Sequence, residues 1–228
     1  MKTPFTHRAA FAIGVCMVTA VFLLHDWNLY PNLRPFGVPV LSVLRLVLLG
    51  VPLFSGWSIA RGSASGLKSA FAWLLWLTFL PYTLYSVTEI RHVAELCRLP
   101  SGETYTGVCV DRLWTLYPVF LYALTGFLSY VFSLAQVATA RFRDSGKKRL
   151  FMVSMCLLAS FASVFGLYTR LNVWDALLRP QQMALSALQL FTARAFLVNL
   201  AWFFAFTVVT TFIVHRMMYR SSRYIFRG

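Results

Sequence analysis

Six apolar stretches, each about long enough to cross a membrane as a helix, dominate this sequence. They cover approximately residues 9–24, 38–60, 67–88, 113–138, 150–168 and 195–214, and a membrane-spanning helix needs about 20 apolar residues. The stretches are apolar on every face and do not alternate with a period of two, which excludes a membrane β-barrel. We therefore predict an all-α, polytopic membrane helix bundle of about six transmembrane helices, in which residues 1–228 form a single domain.

The composition supports a membrane protein and argues against the other classes. The chain is 59% hydrophobic and 12% charged, whereas soluble domains carry about 25% charged residues. Its net charge of +14 would suit nucleic acid, but a basic soluble binder would not combine that charge with so much apolar surface. The predicted partner is the lipid bilayer, with no role for nucleic acid.

The distribution of charge predicts an orientation. Thirteen of the 21 basic residues fall in the two tails and in the second and fourth connections, against seven on the opposite side. Because cytoplasmic segments carry the excess of Lys and Arg, we predict cytoplasmic N and C termini. The basic runs 141–149 and 216–227 are predicted to contact anionic lipid head groups, although the run 141–149 also fits a simple topology determinant.

Acidic residues show the opposite distribution. Of the seven Asp and Glu residues, Asp144 alone is predicted on the cytoplasmic side, and the others fall on or near the outer side. Acidic residues contribute little to topology, so the asymmetry indicates that a polar feature at the outer face uses them.

The end of the third span carries the first candidate cluster. Tyr82, Tyr85, Glu89 and His92 follow at steps of three, four and three residues, which places them on one face if an α-helix continues. Glu89 and His92 could bind a divalent metal or act as a proton-transfer pair. The alternative is a helix end whose Glu and His hydrogen-bond to neighbouring loops, so the cofactor stays unknown.

The end of the fifth span carries the second cluster. Tyr168, Asn172 and Asp175 share a face if that helix continues. Arg170 could pair with Glu89 or Asp175, or hold an anionic substrate with two parallel hydrogen bonds. It also fits an arginine that extends its charged group to the membrane surface.

Arg45 lies inside the second span, where an arginine at the bilayer centre costs about 2.5–3.5 kcal/mol. A buried partner such as Glu89 or Asp175 would offset this cost, and extension toward the nearby outer surface is the alternative.

Two cysteines fall in the third connection, on the predicted outer side. In an oxidising compartment Cys97 and Cys109 could form a disulfide, worth about 3 kcal/mol in the entropic model. Two free thiols are the main alternative, and their spacing is too long for the usual zinc pair.

Two segments resemble a known family. The segment LPYTLYSVTEIRHV is similar to the third-span signature of the bacterial membrane family called domain of unknown function 1361, with matches at Leu80, Pro81, Tyr85, Thr88 and His92. Glu89 stands where the family has aspartate, and Tyr82 and Leu84 depart from its Asn and Pro. The segment GLYTRLNVWD resembles the second signature through Gly166, Arg170, Asn172, Trp174 and Asp175. The resemblance implies a multi-span inner-membrane protein, supplies no reaction, and favours Glu89, His92, Arg170 and Asp175 over other polar residues.

The sequence contains no P-loop, dinucleotide fingerprint or zinc-protease motif, and whether the chain is an enzyme stays open. The leading hypothesis is binding or transport of a small or anionic ligand through a polar pocket near the outer leaflet. That pocket would use Tyr85, Glu89, His92, Arg170, Asn172, Asp175 and Arg45. The alternatives are an intramembrane enzyme that uses a metal on Glu89 and His92 to attack lipid-linked substrates, and a membrane assembly subunit without chemistry.

Overall fold

The computed structural model describes residues 37–62, 66–91, 113–169 and 178–225. Within these ranges it contains six α-helices and one short 3-10 helix, with no strand. In chain order they are α1 (Gly37–Arg61), α2 (Leu67–Tyr85), the 3-10 helix η1 (Ser86–Arg91), α3 (Leu113–Arg141), α4 (Ser145–Thr169), α5 (Pro180–Thr192) and α6 (Arg194–Ile225). The predicted all-α fold is therefore confirmed for the described residues.

Four helical segments are long and apolar enough to cross a membrane. They are Leu67–Ile90, Val119–Arg141, Ser145–Thr169 and Arg194–Met217, and a shorter apolar stretch, Val47–Arg61, lies in α1. Five of the six predicted spans thus coincide with helices. The predicted span 9–24 lies outside the described residues, and the number of spans, the single domain and the side of the termini stay predictions.

Helices α3, α4 and α6 extend beyond the predicted apolar stretches at the ends that carry basic residues. Helix α3 continues to Arg141, α4 begins already at Ser145, and α6 continues to Ile225. Lys and Arg have high helix propensity, so the helices continue past the limits set by hydropathy.

Helix α5 has no counterpart among the predicted elements. It begins with Pro180 in the first turn, a position that suits proline because its missing N–H needs no partner there. Met183, Ala187 and Leu190 pack against the cluster around Phe196, and their spacing is typical of an amphipathic helix. A search for membrane-length apolar stretches misses so short an element.

The centre of the bundle is a hydrogen-bonded junction of α1, α2 and α3. The fully buried indole of Trp76 donates its N–H to Ser133 Oγ over 2.6 Å, and this hydroxyl donates to the carbonyl oxygen of Pro52, also over 2.6 Å. One turn away, Ser129 Oγ donates to the carbonyl of Leu49 over 2.6 Å. Pro52 removes one backbone hydrogen bond from α1, and the two α3 hydroxyls add hydrogen bonds to the backbone at that level.

Gly56 allows α1 to approach this junction closely. A Cβ atom at Gly56 would lie 2.8 Å from Ser133 Oγ and 3.1 Å from Trp76 Nε1. A larger residue would therefore displace the groups that make the hydrogen bonds.

Helices α4 and α6 complete the bundle on the other side of α2 and α3. The buried hydroxyl of Tyr130 in α3 donates to Cys156 Sγ in α4 over 3.3 Å, and Cys156 Sγ lies 3.9 Å from Thr211 Oγ1 in α6. Farther along, the ring of Phe196 packs edge-on against Phe161 with centroids 6.1 Å apart.

Contacts between the helices fix their relative directions. Helix α2 is antiparallel to α3, as the pairs Trp76 with Ser133 and Tyr82 with Tyr122 show, and α1 is parallel to α3, as the pairs Leu49 with Ser129 and Pro52 with Ser133 show. Helix α4 is antiparallel to α6, as the pairs Cys156 with Thr211 and Tyr168 with Asn199 show. These directions determine which helix termini lie together at each end of the bundle.

The outer faces of the helices expose large apolar side chains, such as Phe54 at 75%, Leu74 at 62% and Trp202 at 74%. In water such a surface would be unfavourable, whereas the hydrocarbon of a bilayer covers it. Helix α6 contributes most to this surface, because only 11% of its membrane-length segment is buried inside the bundle, compared with 50% for α3.

We expect the Trp76–Ser133 hydrogen bond to show energetic coupling. In a double-mutant cycle of Trp76→Phe and Ser133→Ala, the coupling energy should lie between about 0.6 and about 1.7 kcal/mol, the average and the maximum found for hydrogen bonds between membrane helices. The measurement is reversible unfolding of the detergent-solubilised protein by SDS. Ser154→Ala, at an exposed position in α4, is the control and should change stability by less than about 0.5 kcal/mol. Strict additivity of the two changes would contradict the assignment.

Candidate functional site

The structure describes only part of the predicted site. Tyr85 is the last residue of α2, Glu89 lies half-buried in η1, and Arg45 lies in α1 with its side chain outside the described part. The remaining candidates fall outside the described residues, namely His92, Cys97, Cys109, Arg170, Asn172 and Asp175. Their predicted roles stay predictions.

The described parts of the two signature segments lie side by side. Ser163 Oγ in α4 donates to the carbonyl oxygen of Pro81 in α2 over 3.3 Å. One turn farther along both helices, the Tyr85 ring lies 3.5 Å from the position that a Cβ atom would take at Gly166. Helices α2 and α4 therefore end at the same end of the bundle, which brings the neighbourhoods of the two predicted clusters together.

The single helix face predicted from α-helical spacing does not continue beyond the end of α2. Helix α2 ends at Tyr85, and Ser86–Arg91 form a 3-10 helix, in which each turn takes three residues and not 3.6. Tyr82 and Tyr85 also contact different neighbours, α3 and α4 respectively. Glu89 therefore does not extend the α-helical register of the two tyrosines, because the helix type changes between them.

A pair of phenols links α2 to α3 near this end. The hydroxyl oxygens of Tyr82 and Tyr122 lie 3.2 Å apart, beside Leu49 and Leu121. Tyr82 is one of the two departures from the family signature, and the other, Leu84, is fully buried. Both departing residues thus have defined packing partners in this chain.

Gly126 fixes the position of η1 against α3. A Cβ atom at Gly126 would lie 2.6 Å from the Thr83 carbonyl oxygen and 2.8 Å from Ser86 Cβ. Ser86 Oγ itself donates to the Thr83 carbonyl over 2.7 Å. The turn that leads to Glu89 therefore rests directly on the backbone of α3.

A second polar pair lies on the flank formed by α4 and α6. Asn199 Nδ2 donates to Tyr168 Oη over 2.6 Å. The pair borders an open groove of about 360 Å³, whose other lining residues are apolar: Val164, Leu167, Trp202, Phe203 and Phe206. The amide and phenol groups at the border of this groove can hydrogen-bond to a polar molecule, while the apolar lining contacts hydrocarbon.

Charge separates the two ends of the bundle among the described residues. The C-terminal ends of α1, α3 and α6 and the N-terminal ends of α2 and α4 form what we call the basic end. Among the side chains that the structure describes, it carries eight basic ones: Arg61, Lys68, Arg141, Arg143, Lys147, Lys148, Arg149 and Arg216. Its acidic side chain is Asp144. The opposite end, which we call the polar end, carries Glu89, Arg179 and Arg194 together with the tyrosine contacts above.

The part of the chain that the structure describes contains no group of three or more His, Cys, Asp or Glu side chains that could hold a metal ion. Of the two predicted metal ligands, Glu89 is described and His92 is not. The metal hypothesis therefore stays a prediction.

Comparison with known proteins assigns the family. The family described as Protein of unknown function (DUF1361) matches residues 44–212. The chain belongs to this family. The match covers both signature segments and all six described α-helices in whole or in part, which confirms the resemblance seen in the sequence. No curated protein and no solved structure matches the chain.

Sequence reasoning missed several residues that shape the polar end of this family member, namely Tyr122, Gly126 and Asn199. A single glycine within the long apolar helix α3 was an available signal, because glycine there weakens a helix unless close packing requires it. Asn199 was another, as a polar residue one turn inside a span. The spacing of these residues alone does not reveal which helix each of them contacts.

We expect Gly126→Ala to destabilise the protein although alanine is the better helix former. The added methyl group meets backbone and Cβ atoms that cannot move aside as a flexible side chain would. Overpacking of this kind lowers the free energy of unfolding by about 1–3 kcal/mol. At about 2–4 °C per kcal/mol for a chain of this size, thermal unfolding in detergent should show a clear decrease in midpoint.

Gly50→Ala in α1 is the matched control, since its new methyl would meet the Phe54 ring at an ordinary 3.4 Å. It should be neutral or slightly stabilising. Equal midpoints for the two variants would show that η1 does not rest on Gly126.

Proposed function

We propose that the chain is an integral protein of the bacterial cytoplasmic membrane whose polar end, near the outer leaflet, binds a small anionic ligand for recognition or transport. The observation that carries this proposal is the contact between the helix ends that lead into the signature segments, where Tyr85 packs on Gly166 and Ser163 donates to Pro81. Two chain segments rich in polar residues thereby begin at one end of the bundle.

The orientation is supported by the charges of the described helix ends. Eight basic side chains and one acidic side chain are described at the basic end, and an excess of Lys and Arg is typical of cytoplasmic segments. With the basic end in the cytoplasm, the polar end would lie near the outer leaflet.

The proposed roles follow from the chemistry of each group. Arg170, the residue after the last described residue of α4, would contact the anionic group, because a guanidinium binds carboxylate or phosphate with two parallel hydrogen bonds. Glu89 with His92 would take up a proton or a cation that accompanies the ligand. The phenol of Tyr85 would be positioned by its contact with Gly166.

The orientation can be tested by cysteine labelling in intact cells. In a background with the four native cysteines replaced by serine, Ser145→Cys at the basic end and Gln181→Cys in α5 both lie at exposed positions. A membrane-impermeant maleimide should label Gln181→Cys and leave Ser145→Cys unlabelled until the cells are permeabilised. The reverse pattern would overturn the orientation.

Ligand binding can be tested by thermal unfolding of the purified protein in sodium phosphate or sodium citrate, against sodium chloride at equal ionic strength. An anion present at 100 times its Kd stabilises by about 2.7 kcal/mol, which corresponds to roughly 5–10 °C for a chain of this size. We expect Arg170→Gln to abolish this shift and Arg179→Gln, exposed and at the same end, to retain it.

Two results would contradict anion binding. One is the absence of a shift with either anion, and the other is an equal shift in wild type and Arg170→Gln. Stoichiometric zinc or manganese in the purified protein, lost in Glu89→Gln with His92→Ala, would instead favour the metalloenzyme alternative.

A further inference from the structure

The basic end presents a concentrated positive surface whose centre is the hairpin between α3 and α4. Between Arg141 and Arg149 the chain carries five basic side chains and one acidic side chain, Asp144. Four of the five basic side chains are exposed, and Lys148 is half-buried. The same surface is extended by Arg61 at the end of α1, Lys68 at the start of α2 and Arg216 of α6.

The hairpin is held in place, so its charges are preorganised. Asp144 Oδ1 accepts a hydrogen bond from the backbone N–H of Lys147 over 2.7 Å, which caps the first turn of α4. The ring of Phe142 lies 4.9 Å from that of Phe151, which stacks on Trp76 at 6.1 Å. The hairpin is therefore packed onto the core junction of the bundle and has little freedom to spread its charges apart.

The positive charges of the hairpin repel one another and the positive end of the α4 helix dipole. Lys147, Lys148 and Arg149 follow one another at the start of α4, which has no acidic residue in its first turn. Cations are unfavourable there because the helix dipole is positive at its N-terminus, and Arg141 and Arg143 add repulsion at short range. An anionic partner would relieve this repulsion, and among the described residues of the hairpin Asp144 is the single acidic group.

Two arginine–tryptophan contacts indicate the level of this surface relative to a bilayer. The guanidinium carbon of Arg61 lies 3.7 Å from the centre of the Trp57 ring, and that of Arg141 lies 5.9 Å from the Trp73 ring. Tryptophan prefers the head-group level of a membrane. The arginines beside these rings would therefore be at the height of lipid phosphates.

We propose that the basic end binds the phosphate groups of anionic phospholipids, with Arg143, Lys147 and Arg149 of the hairpin as the main contacts. The complementarity of charge selects the ligand, and the packed hairpin fixes the spacing of the cations. The tryptophans beside Arg61 and Arg141 indicate the height of this end of the bundle. The inference does not depend on ligand binding at the polar end, because it concerns the opposite end of the bundle.

The test is native mass spectrometry of the full-length protein in neutral detergent, titrated with phosphatidylglycerol or phosphatidylcholine. Wild type should bind phosphatidylglycerol selectively, and the binding should weaken with added salt. The triple variant Arg143→Gln, Lys147→Gln, Arg149→Gln should lose affinity on the order of 100-fold, from a cation contribution of roughly fivefold each.

Two control variants make the result decisive. Arg179→Gln with Arg194→Gln removes two exposed cations at the polar end and should leave phosphatidylglycerol binding unchanged. Arg143→Lys with Lys147→Arg and Arg149→Lys keeps the charge and should retain most of the affinity, which separates charge loss from misfolding.

Equal binding of the two lipids would overturn the proposal, as would equal affinity in wild type and the triple glutamine variant. A charge-preserving variant that loses binding as fully as the glutamine variant would also overturn it. Preferential binding of a short DNA duplex over phosphatidylglycerol would show that the surface serves nucleic acid instead.

Discussion

The hydrogen-bonded junction of Trp76, Ser133 and Pro52 is the interaction on which the rest of this bundle depends. Apolar contact alone gives membrane helices little reason to prefer one another over lipid, so packing and hydrogen bonds between helices must select the partners. Here one indole N–H and one serine hydroxyl tie α2 and α3 to the backbone of α1. Gly56 makes that approach sterically feasible. The register of three helices is thereby fixed at one level of the membrane.

Helix α2 transmits this register to both ends of the molecule. Toward the basic end, Trp76 stacks on Phe151 and so holds the hairpin between α3 and α4. Toward the polar end, the carbonyl of Pro81 accepts Ser163, and the Tyr85 ring covers Gly166. One helix that is fixed at its centre therefore positions the cations on one side and the signature segments on the other. Substitutions at the junction should therefore alter the positions of residues at both ends of the bundle.

The sequence predicts the long helices well and their mutual contacts poorly, for a physical reason. A helix in a bilayer must satisfy its own backbone, so apolar length alone reveals the elements from α1 to α4 and α6. Helix α5 and η1 are too short for that criterion, and α5 is stabilised by packing on Phe196. Tyr82 and Tyr85 lie one turn apart on α2, and yet their rings contact α3 and α4 respectively. Spacing gives the side of a helix but not the neighbour that occupies it.

The family signatures contain residues of two kinds, and packing accounts for one of them. Leu80 is buried, Pro81 accepts Ser163, Thr88 donates to the Tyr85 carbonyl, and Gly166 admits the Tyr85 ring. The interhelical hydrogen bonds described above all join neutral groups, which can hold helices together without the cost of placing a charge in a bilayer. The charged signature residues Glu89 and Arg170 carry a different chemistry, and under the proposed function they are the positions at which ligand binding in this family should be tested first.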